Sequence, residues 1–137
     1  MTIKEVSEKY HISQDTLRYY ERAGMIPPVT RTAGGIRDYQ ESDLGWVETA
    51  ICMRNAGLPV EVLAEYTKLC QEGDSTIPDR LRLLTGQREI LLEQKQKIEE
   101  TLERLNYKIE RYEIAARTGV LSWDTEDGSC TLPHADD

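Results

Sequence analysis

Apolar residues at the start of the chain recur at helical spacing in two short runs. Thr2 and Glu5 have the spacing of a capping box, which predicts a first helix that begins at residue 2 or 3. Ser13 is a natural N-cap for a second helix over about residues 13–23, and Gly24 ends it. Two short helices joined by a three-residue turn form a helix-turn-helix. On this pattern alone, an ordinary helical hairpin is more common than a DNA-binding motif.

The segment from Met25 to Tyr39 has a different character. Gly34-Gly35 separates two short segments that contain β-forming residues, as in a hairpin with a tight turn. We therefore predict a small wing in which Arg31 and Arg37 flank the turn and lie along a phosphate backbone. The alternative is a solvated loop whose arginines pair with local carboxylates such as Asp38.

The helical period returns at Ser42 and predicts two more helices. The third ends at a break at Gly57, and Pro59 sits in the first turn of a fourth helix over roughly residues 59–71. Their predicted inward-facing residues are Leu44, Val47, Ile51, Val62, Leu63, Tyr66 and Leu69. These helices complete a first domain over residues 1–71, and residues 72–78, which are rich in turn and cap residues, are predicted to form a linker.

A single long helix is predicted over residues 79–116. Apolar residues recur every seven positions at Leu84, Leu91, Ile98, Leu105 and Tyr112. One small domain cannot bury such a seam, so a symmetric homodimer is the economical prediction. Residues 117–137 form a short acidic tail that we expect to be flexible or loosely docked.

The charge is uneven along the chain of 137 residues. Residues 1–59 carry 7 basic and 8 acidic side chains, and residues 60–137 carry 10 and 17, so the nets of -1 and -7 add to the total of -8. Phosphate contacts depend on local potential, and the overall acidity therefore does not exclude DNA. No run reaches the ~18 apolar residues that span a bilayer, and the first residues lack an export signal. We expect a cytoplasmic protein without a membrane partner.

Candidate catalytic and metal-binding groups are few. The sequence has no GxGxxG or GxxxxGK motif, and its two histidines, His11 and His134, lie at opposite ends. We therefore expect no enzymatic activity and no cofactor. The three cysteines, Cys52, Cys70 and Cys130, form no CxxC pair and no metal-type cluster, so reduced thiols are expected.

Several of these features together resemble the MerR family of bacterial transcription regulators. They are the TLRYYE string of residues 16–21, the wing segment Gly34 to Tyr39, the acidic helix start at Asp43 and the break at Gly57. The resemblance covers about residues 1–112. It implies a mainly α fold, in which a winged helix-turn-helix domain precedes a long dimerisation helix that pairs as an antiparallel coiled coil.

The resemblance also implies a function. Such a homodimer binds a palindromic operator in double-stranded promoter DNA and distorts it so that RNA polymerase engages both promoter elements. By family position, DNA contacts are carried onto Thr16, Arg18, Tyr19, Arg37 and Tyr39, and Tyr20 joins them as a candidate that is equally expected in the core. A guanidinium can bind a base edge or a phosphate, and a tyrosine hydroxyl can reach a phosphate while its ring packs below.

Cys52 is the candidate sensor residue. The Ile51 to Arg54 stretch resembles the branch of the family that responds to aldehydes and other thiol-reactive stress, in which a single cysteine at the corresponding place is implicated. A thiolate attacks electrophiles or oxidants, and its modification could bias two packings of the surrounding helices. The alternative is an inert, packed cysteine that borders the core face of the third helix.

Other inputs are less favoured by the sequence. Only Cys130, with His134 four residues later, follows the long helix, and soft metal ions need two or more thiolates held close together. A metal site is therefore disfavoured, although a Cys70/Cys130 arrangement across two subunits stays open. The region after the long helix is too short for a separate drug-binding domain. A small apolar ligand, or a helical interaction module that does not read DNA, remains an alternative.

Overall fold

The computed structural model describes residues 1–123. Its α-helices, in chain order, are α1 (Ile3–Tyr10), α2 (Gln14–Arg22), α3 (Glu41–Asn55), α4 (Val60–Glu72) and α5 (Ile77–Thr118), with a short 3-10 turn at Asp74–Thr76 before α5. Over these 123 residues the structure contains no β-strand, and none of the helices is both long enough and apolar enough to cross a membrane. The mainly α fold is thus confirmed.

The chain forms two compact units, Met1–Glu89 and Ile90–Asp137. The boundary falls within α5, so the first unit includes the beginning of that helix in addition to α1 through α4.

Polar caps fix the first two helices where the sequence predicts them. Thr2 Oγ1 accepts a 3.2 Å hydrogen bond from the Glu5 backbone N–H, and Glu5 Oε1 accepts one of 2.8 Å from the Thr2 N–H. Helix α1 ends at His11, which adopts the left-handed conformation with φ 58°. Ser13 then caps α2 by accepting a 3.0 Å bond from the Thr16 N–H. The end of α1 at His11 and the start of α2 at Ser13 are thus only two residues apart, which is the geometry of a helix-turn-helix.

The core of the first unit is formed by α1 to α4 together with the segment that follows α2. Its buried apolar residues are Val6, Leu17, Tyr20, Met25, Ile26, Val29, Tyr39, Val47, Ala50, Leu58 and Leu63. Among the predicted inward-facing residues of α3 and α4, Val47 and Leu63 are buried, and the others are half-buried.

The connection between α4 and α5 is shorter than the predicted linker over residues 72–78. Helix α4 continues through Glu72 and α5 already begins at Ile77, which leaves Gly73 and the 3-10 turn between them. Gly73 has φ 102°, a conformation that side chains disfavour, and it ends α4. Pro78 lies in the first turn of α5, where its missing N–H is not needed by the helix. Pro78 therefore belongs to the first turn of α5 and not to a linker.

The second unit contains the rest of α5 and a segment that folds back on it. Gly119 ends the helix with φ 81°. The Arg111 guanidinium donates 2.9 Å hydrogen bonds to both the carbonyl and the hydroxyl oxygen of Ser122. The Trp123 ring lies 6.1 Å from Tyr107 and 6.0 Å from Tyr112, measured between ring centroids. The rest of the predicted acidic tail, with Cys130 and His134, lies outside the described residues.

Candidate nucleic-acid interface

Helix α2 has one face buried in the core and another face of half-buried and exposed side chains. Leu17 and Tyr20 are one turn apart and point into the core. The predicted contact residues Thr16, Arg18 and Tyr19 lie between and beside them, half-buried or exposed. Helix α2 packs against both α1 and α3, so its position is set by the core of the first unit.

Within residues 1–123, Arg18 bonds only to neighbours on its own helix. It donates a 2.9 Å bond to Asp15 Oδ1 and a 3.3 Å bond to Gln14 Oε1. Asp15 is almost fully exposed, and an ion pair with such a carboxylate is worth at most ~1 kcal/mol. The guanidinium can therefore exchange Asp15 for a phosphate or a base edge at little cost.

Tyr19 is the exposed ring of helix α2, since Tyr20 is buried. The guanidinium of Arg22 lies over it, 5.4 Å from the ring centroid. Such a pair keeps a positive charge beside the tyrosine ring, and a cation next to a hydroxyl-bearing side chain is a suitable combination for a phosphate. Sequence reasoning did not single out Arg22, although its position one turn after Arg18 was a signal.

The buried positions of Tyr20 and Tyr39 disfavour a direct DNA contact by these two side chains, and for Tyr20 they favour the core position that the sequence also allowed. Their exposed fractions are 8% and 2%, and the buried Tyr39 hydroxyl has no hydrogen-bond partner among residues 1–123. Burial raises the pKa of both tyrosines above the ordinary value. The prediction for Tyr39 came from its family position beside the wing turn. The chain forms no strand here, and it carries the ring inward before α3 begins at Glu41.

The wing is a tight turn closed by one antiparallel bridge between Arg31 and Arg37. Gly35, with φ 85°, donates from its N–H to the Thr32 carbonyl oxygen at 2.9 Å, and the Thr32 N–H donates to the Ile36 carbonyl oxygen at 2.8 Å. The turn predicted around this glycine is confirmed, but the flanking segments are too short to count as strands.

Glu21 connects the wing to α2, and sequence reasoning missed it. Its Oε2 accepts a 2.9 Å bond from the Val29 N–H, and its Oε1 accepts a 2.7 Å bond from Arg37 Nε. Arg31 Nη2 lies 3.3 Å from Oε2. The sequence predicted either DNA-facing arginines or pairing with Asp38, whereas the carboxylate they share comes from α2. An acidic residue on the same side of α2 as Leu17 was the available signal.

The charge state of Glu21 follows from these contacts. Burial alone would raise the pKa of its carboxyl. The hydrogen bonds from Val29 and Arg37 and the charges of Arg37 and Arg31 outweigh that effect, and the pKa lies below its ordinary value. Glu21 is therefore ionised at neutral pH.

The candidate sensor Cys52 lies on the exposed side of α3. Because its side chain is exposed, Cys52 is not packed into the core of the described residues, as the alternative had it. The neighbouring Arg54 guanidinium donates a 2.7 Å bond to the Leu58 carbonyl oxygen. Cys70 is half-buried in α4, and its hydrogen bond with Tyr66, followed by burial of the ring, raises the pKa of that tyrosine. Residues 1–123 contain no cluster of three or more potential metal ligands.

A recognition helix with an arginine-bearing wing packed beside it defines the winged helix-turn-helix class of DNA-binding proteins. The sequence profile of the MerR HTH family regulatory proteins matches residues 1–70. The chain belongs to the MerR family of transcription regulators.

Individual relatives refine this assignment. The HTH-type transcriptional regulator AdhR of Bacillus subtilis is 50% identical over 93 residues, which span 68% of this chain and 66% of that protein, slightly less than two thirds of its length. A solved structure from Listeria monocytogenes, classed with MerR family transcriptional regulators, has 42% identity and a TM-score of 0.82, and the match covers 87% of this chain and 92% of that one.

A second solved structure shows a relative on DNA. HiNmlR, described as a MerR family regulator lacking the sensor domain and bound to promoter DNA, has 31% identity and a TM-score of 0.79, covering 88% of this chain and 95% of that one. The chain is thus a DNA-binding transcription regulator of the AdhR/NmlR-like branch.

Proposed function

We propose that the protein acts as a homodimer that binds a palindromic promoter operator, distorts the DNA so that RNA polymerase can engage the promoter, and responds to electrophiles or oxidants through Cys52. The observation that supports this proposal best is an apolar stripe on α5 that stays about half exposed within residues 1–123. Five side chains spaced alternately by four and three residues, Ile98, Leu102, Leu105, Ile109 and Tyr112, each have between 48% and 60% of their surface exposed.

A second copy of the chain is the natural cover for this stripe. The spacing is that of a coiled-coil seam, and burying one large apolar side chain contributes ~1.5–3 kcal/mol. Arg88 and Lys95 occupy seam positions at mid-helix, which disfavours a parallel zipper and favours an antiparallel pair. Antiparallel pairing separates two recognition helices by a fixed distance and thereby matches them to the two half-sites of a palindrome.

The dimer is tested by placing a charge in the stripe. Leu105→Glu should convert a dimer to a monomer in analytical ultracentrifugation and abolish cooperative binding to a palindrome. Lys97→Glu, which changes the charge by two units at a position outside the stripe, should remain dimeric. A monomeric wild type at micromolar concentration would overturn the proposal.

DNA reading is assigned to Thr16, Arg18, Tyr19 and Arg37. Arg18→Ala or Arg37→Ala should weaken binding by about 1–3 kcal/mol and leave the dimer intact. A suitable probe is a duplex that the wild-type protein selects from a randomised pool. Fluorescence energy transfer between the duplex ends measures distortion, and transcription with purified RNA polymerase measures its consequence. Equal affinity in wild type and both variants would remove these arginines from the interface.

Cys52 is a chemically accessible input. Its thiol is exposed on α3, whose other side contributes Val47 and Ala50 to the core on which α2 also packs. An adduct on this helix can therefore shift α2 through direct packing. Cys52→Ser should abolish the effect of formaldehyde or diamide on transcription and leave basal DNA binding unchanged. Cys70→Ser is the matched control, and a normal response in Cys52→Ser would exclude Cys52 as the sensor.

A small apolar ligand is the second candidate input, because α3 and α4 form an open cleft. Its volume is about 280 Å³, and it is lined by Ser42, Gly45, Trp46, Thr49 and Tyr66. The Trp46 and Tyr66 rings lie 6.1 Å apart, a separation typical of packed aromatic pairs. Quenching of Trp46 fluorescence by an inducer, with a full response retained in Cys52→Ser, would favour this alternative.

A further inference from the structure

Glu21 extends from α2 toward the wing segment, where Val29, Arg31 and Arg37 all donate to its carboxylate. Its side chain has only 12% of its surface exposed, and its backbone belongs to α2, the recognition helix. Oε2 is fixed by the backbone N–H of Val29, which cannot rotate away as a side chain can. The same carboxylate receives Arg37 at 2.7 Å and Arg31 at 3.3 Å. One anchored anion thus determines where two wing cations sit.

The geometry leaves part of the wing free to bind DNA. Arg37 uses Nε toward Glu21, and within residues 1–123 its two terminal nitrogens have no hydrogen-bond partner. A guanidinium presents several N–H groups in a planar fork, so it can keep the carboxylate and also donate to a phosphate. The second arginine, Arg31, is tied further by a 3.3 Å bond to the Gly35 carbonyl oxygen.

The charges of these three side chains do not cancel. Two guanidinium groups and one carboxylate leave a net charge of about +1 where the arginines alone would give about +2. Non-specific binding depends on the number of phosphates that cations neutralise, and it therefore falls when a carboxylate competes for those cations. Specific binding depends on cations held in one register relative to the recognition helix.

We propose that Glu21 is a positioning residue that sets the DNA specificity of this protein. It holds Arg37 and Arg31 in register with α2 for the operator, and it lowers the attraction of the wing for any other phosphate backbone. The inference rests on the proposed DNA contact by Arg37. A residue that only stabilised the fold would change both affinities in the same direction. Removal of the Glu21 carboxylate should instead lower the affinity for the operator and raise the affinity for random DNA.

The test is Glu21→Gln, which keeps the size of the side chain and removes its charge. We expect binding to the selected palindromic duplex to fall roughly tenfold, the size of one lost charge-assisted hydrogen bond. Binding to a random duplex of equal length should rise a few-fold, with a steeper dependence on salt. Glu65→Gln is the control. It removes a charge from the exposed face of α4 in the same unit, and it should change neither the affinity for the selected duplex nor that for the random duplex.

Two further variants separate geometry from charge. Glu21→Asp keeps the charge on a shorter side chain that cannot reach Val29 and Arg37 together, so it should lose operator affinity without gaining random binding. In an Arg37→Gln background, Glu21→Gln should have a much smaller effect on operator affinity. An undiminished effect there would show that Glu21 does not act through Arg37, and the proposal would be wrong.

The remaining outcomes also decide the question. A parallel loss of both affinities in Glu21→Gln, with a lower melting temperature, would assign Glu21 to the fold alone and overturn the proposal. Unchanged affinities, or a rise in both, would overturn it too. If the wild-type protein selects no duplex at all, the proposed operator binding has failed, a result that is distinct from any of these.

Discussion

Thr67 in α4 donates a buried 2.9 Å hydrogen bond from its hydroxyl to the carbonyl oxygen of Met25, 42 residues earlier in the chain. Met25 directly follows the turn that ends α2, so this bond ties the exit of the recognition helix to α4. Both residues are 2% exposed, and no water can replace the donor without opening the core.

Thr67→Val should therefore be destabilising although it preserves the shape of the side chain. The Met25 carbonyl would stay buried without a partner, and the free energy of unfolding should fall by about 1–3 kcal/mol. Chemical denaturation followed by circular dichroism measures this change. Thr49→Val, an exposed site on α3, is the matched control and should lie within ~0.5 kcal/mol of wild type. Equal stabilities of the two variants would contradict the role of the bond.

Tyr39→Phe should behave in the opposite way. The buried Tyr39 hydroxyl has no partner in the part of the chain that the structure describes, so its removal eliminates a desolvation cost and leaves the packing of the ring intact. The melting temperature should stay equal or rise, and affinity for the selected duplex should not change. A tyrosine that reaches a phosphate with its hydroxyl, as the sequence suggested, would instead lose affinity in this variant, and the two measurements together decide between the two roles.

The local features of the fold could be predicted from the sequence because their causes are local. Thr2, Glu5 and Ser13 are caps that act within three residues, and the helices begin where these residues place them. Gly35 and Gly57 adopt positive φ values where a turn and a helix end were predicted. The long helix was predicted from its heptad spacing, and it extends two residues further at each end than predicted, from Ile77 to Thr118.

The parts of the site that the sequence did not predict depend on contacts between distant residues. Glu21 and Arg37 are 16 residues apart, and no periodicity indicates that a carboxylate of α2 meets a guanidinium of the wing. The inward turn of Tyr39 is likewise set by the position of α3. For a similar reason, the sequence could not predict whether Cys52 is exposed. A residue that borders the core face of a helix can lie on the buried or on the exposed side, and Cys52 lies on the exposed side.

The hydroxyl of Tyr10 should titrate unusually late. It donates a 2.6 Å bond to Glu48 Oε2, linking α1 to α3. Burial, followed by this bond and by the negative charge of Glu48, raises the pKa of Tyr10 from 10.0 to about 12. Since the folded pKa is above the unfolded one, the stabilisation is complete below pH 10 and is lost as the pH rises through about 12.

Near-ultraviolet absorbance of tyrosinate checks this titration by comparing the wild type with Tyr10→Phe. The stability difference between these two proteins should be constant up to pH 10 and should shrink above it. Glu48→Gln, which keeps an acceptor and removes the charge, should move the pKa of Tyr10 down toward its ordinary value. A Tyr10 that titrates normally in the wild type would show that the bond to Glu48 does not persist in solution.

Trp123 provides a reporter for the segment that folds back on the end of α5. Its ring packs against Tyr107 and Tyr112, the Lys108 ammonium lies 6.0 Å from its centroid, and Arg111 binds the preceding Ser122.

The chain has 2 tryptophans, so in a Trp46→Phe background the emission comes from Trp123 alone. Arg111→Ala removes both bonds to Ser122 and should shift the emission to longer wavelength as the indole becomes hydrated. Arg104→Ala changes an exposed arginine two turns earlier and should leave the emission unchanged. Identical spectra for Arg111→Ala and its parent would mean that aromatic packing alone holds the segment, and Tyr112→Ala should then produce the shift.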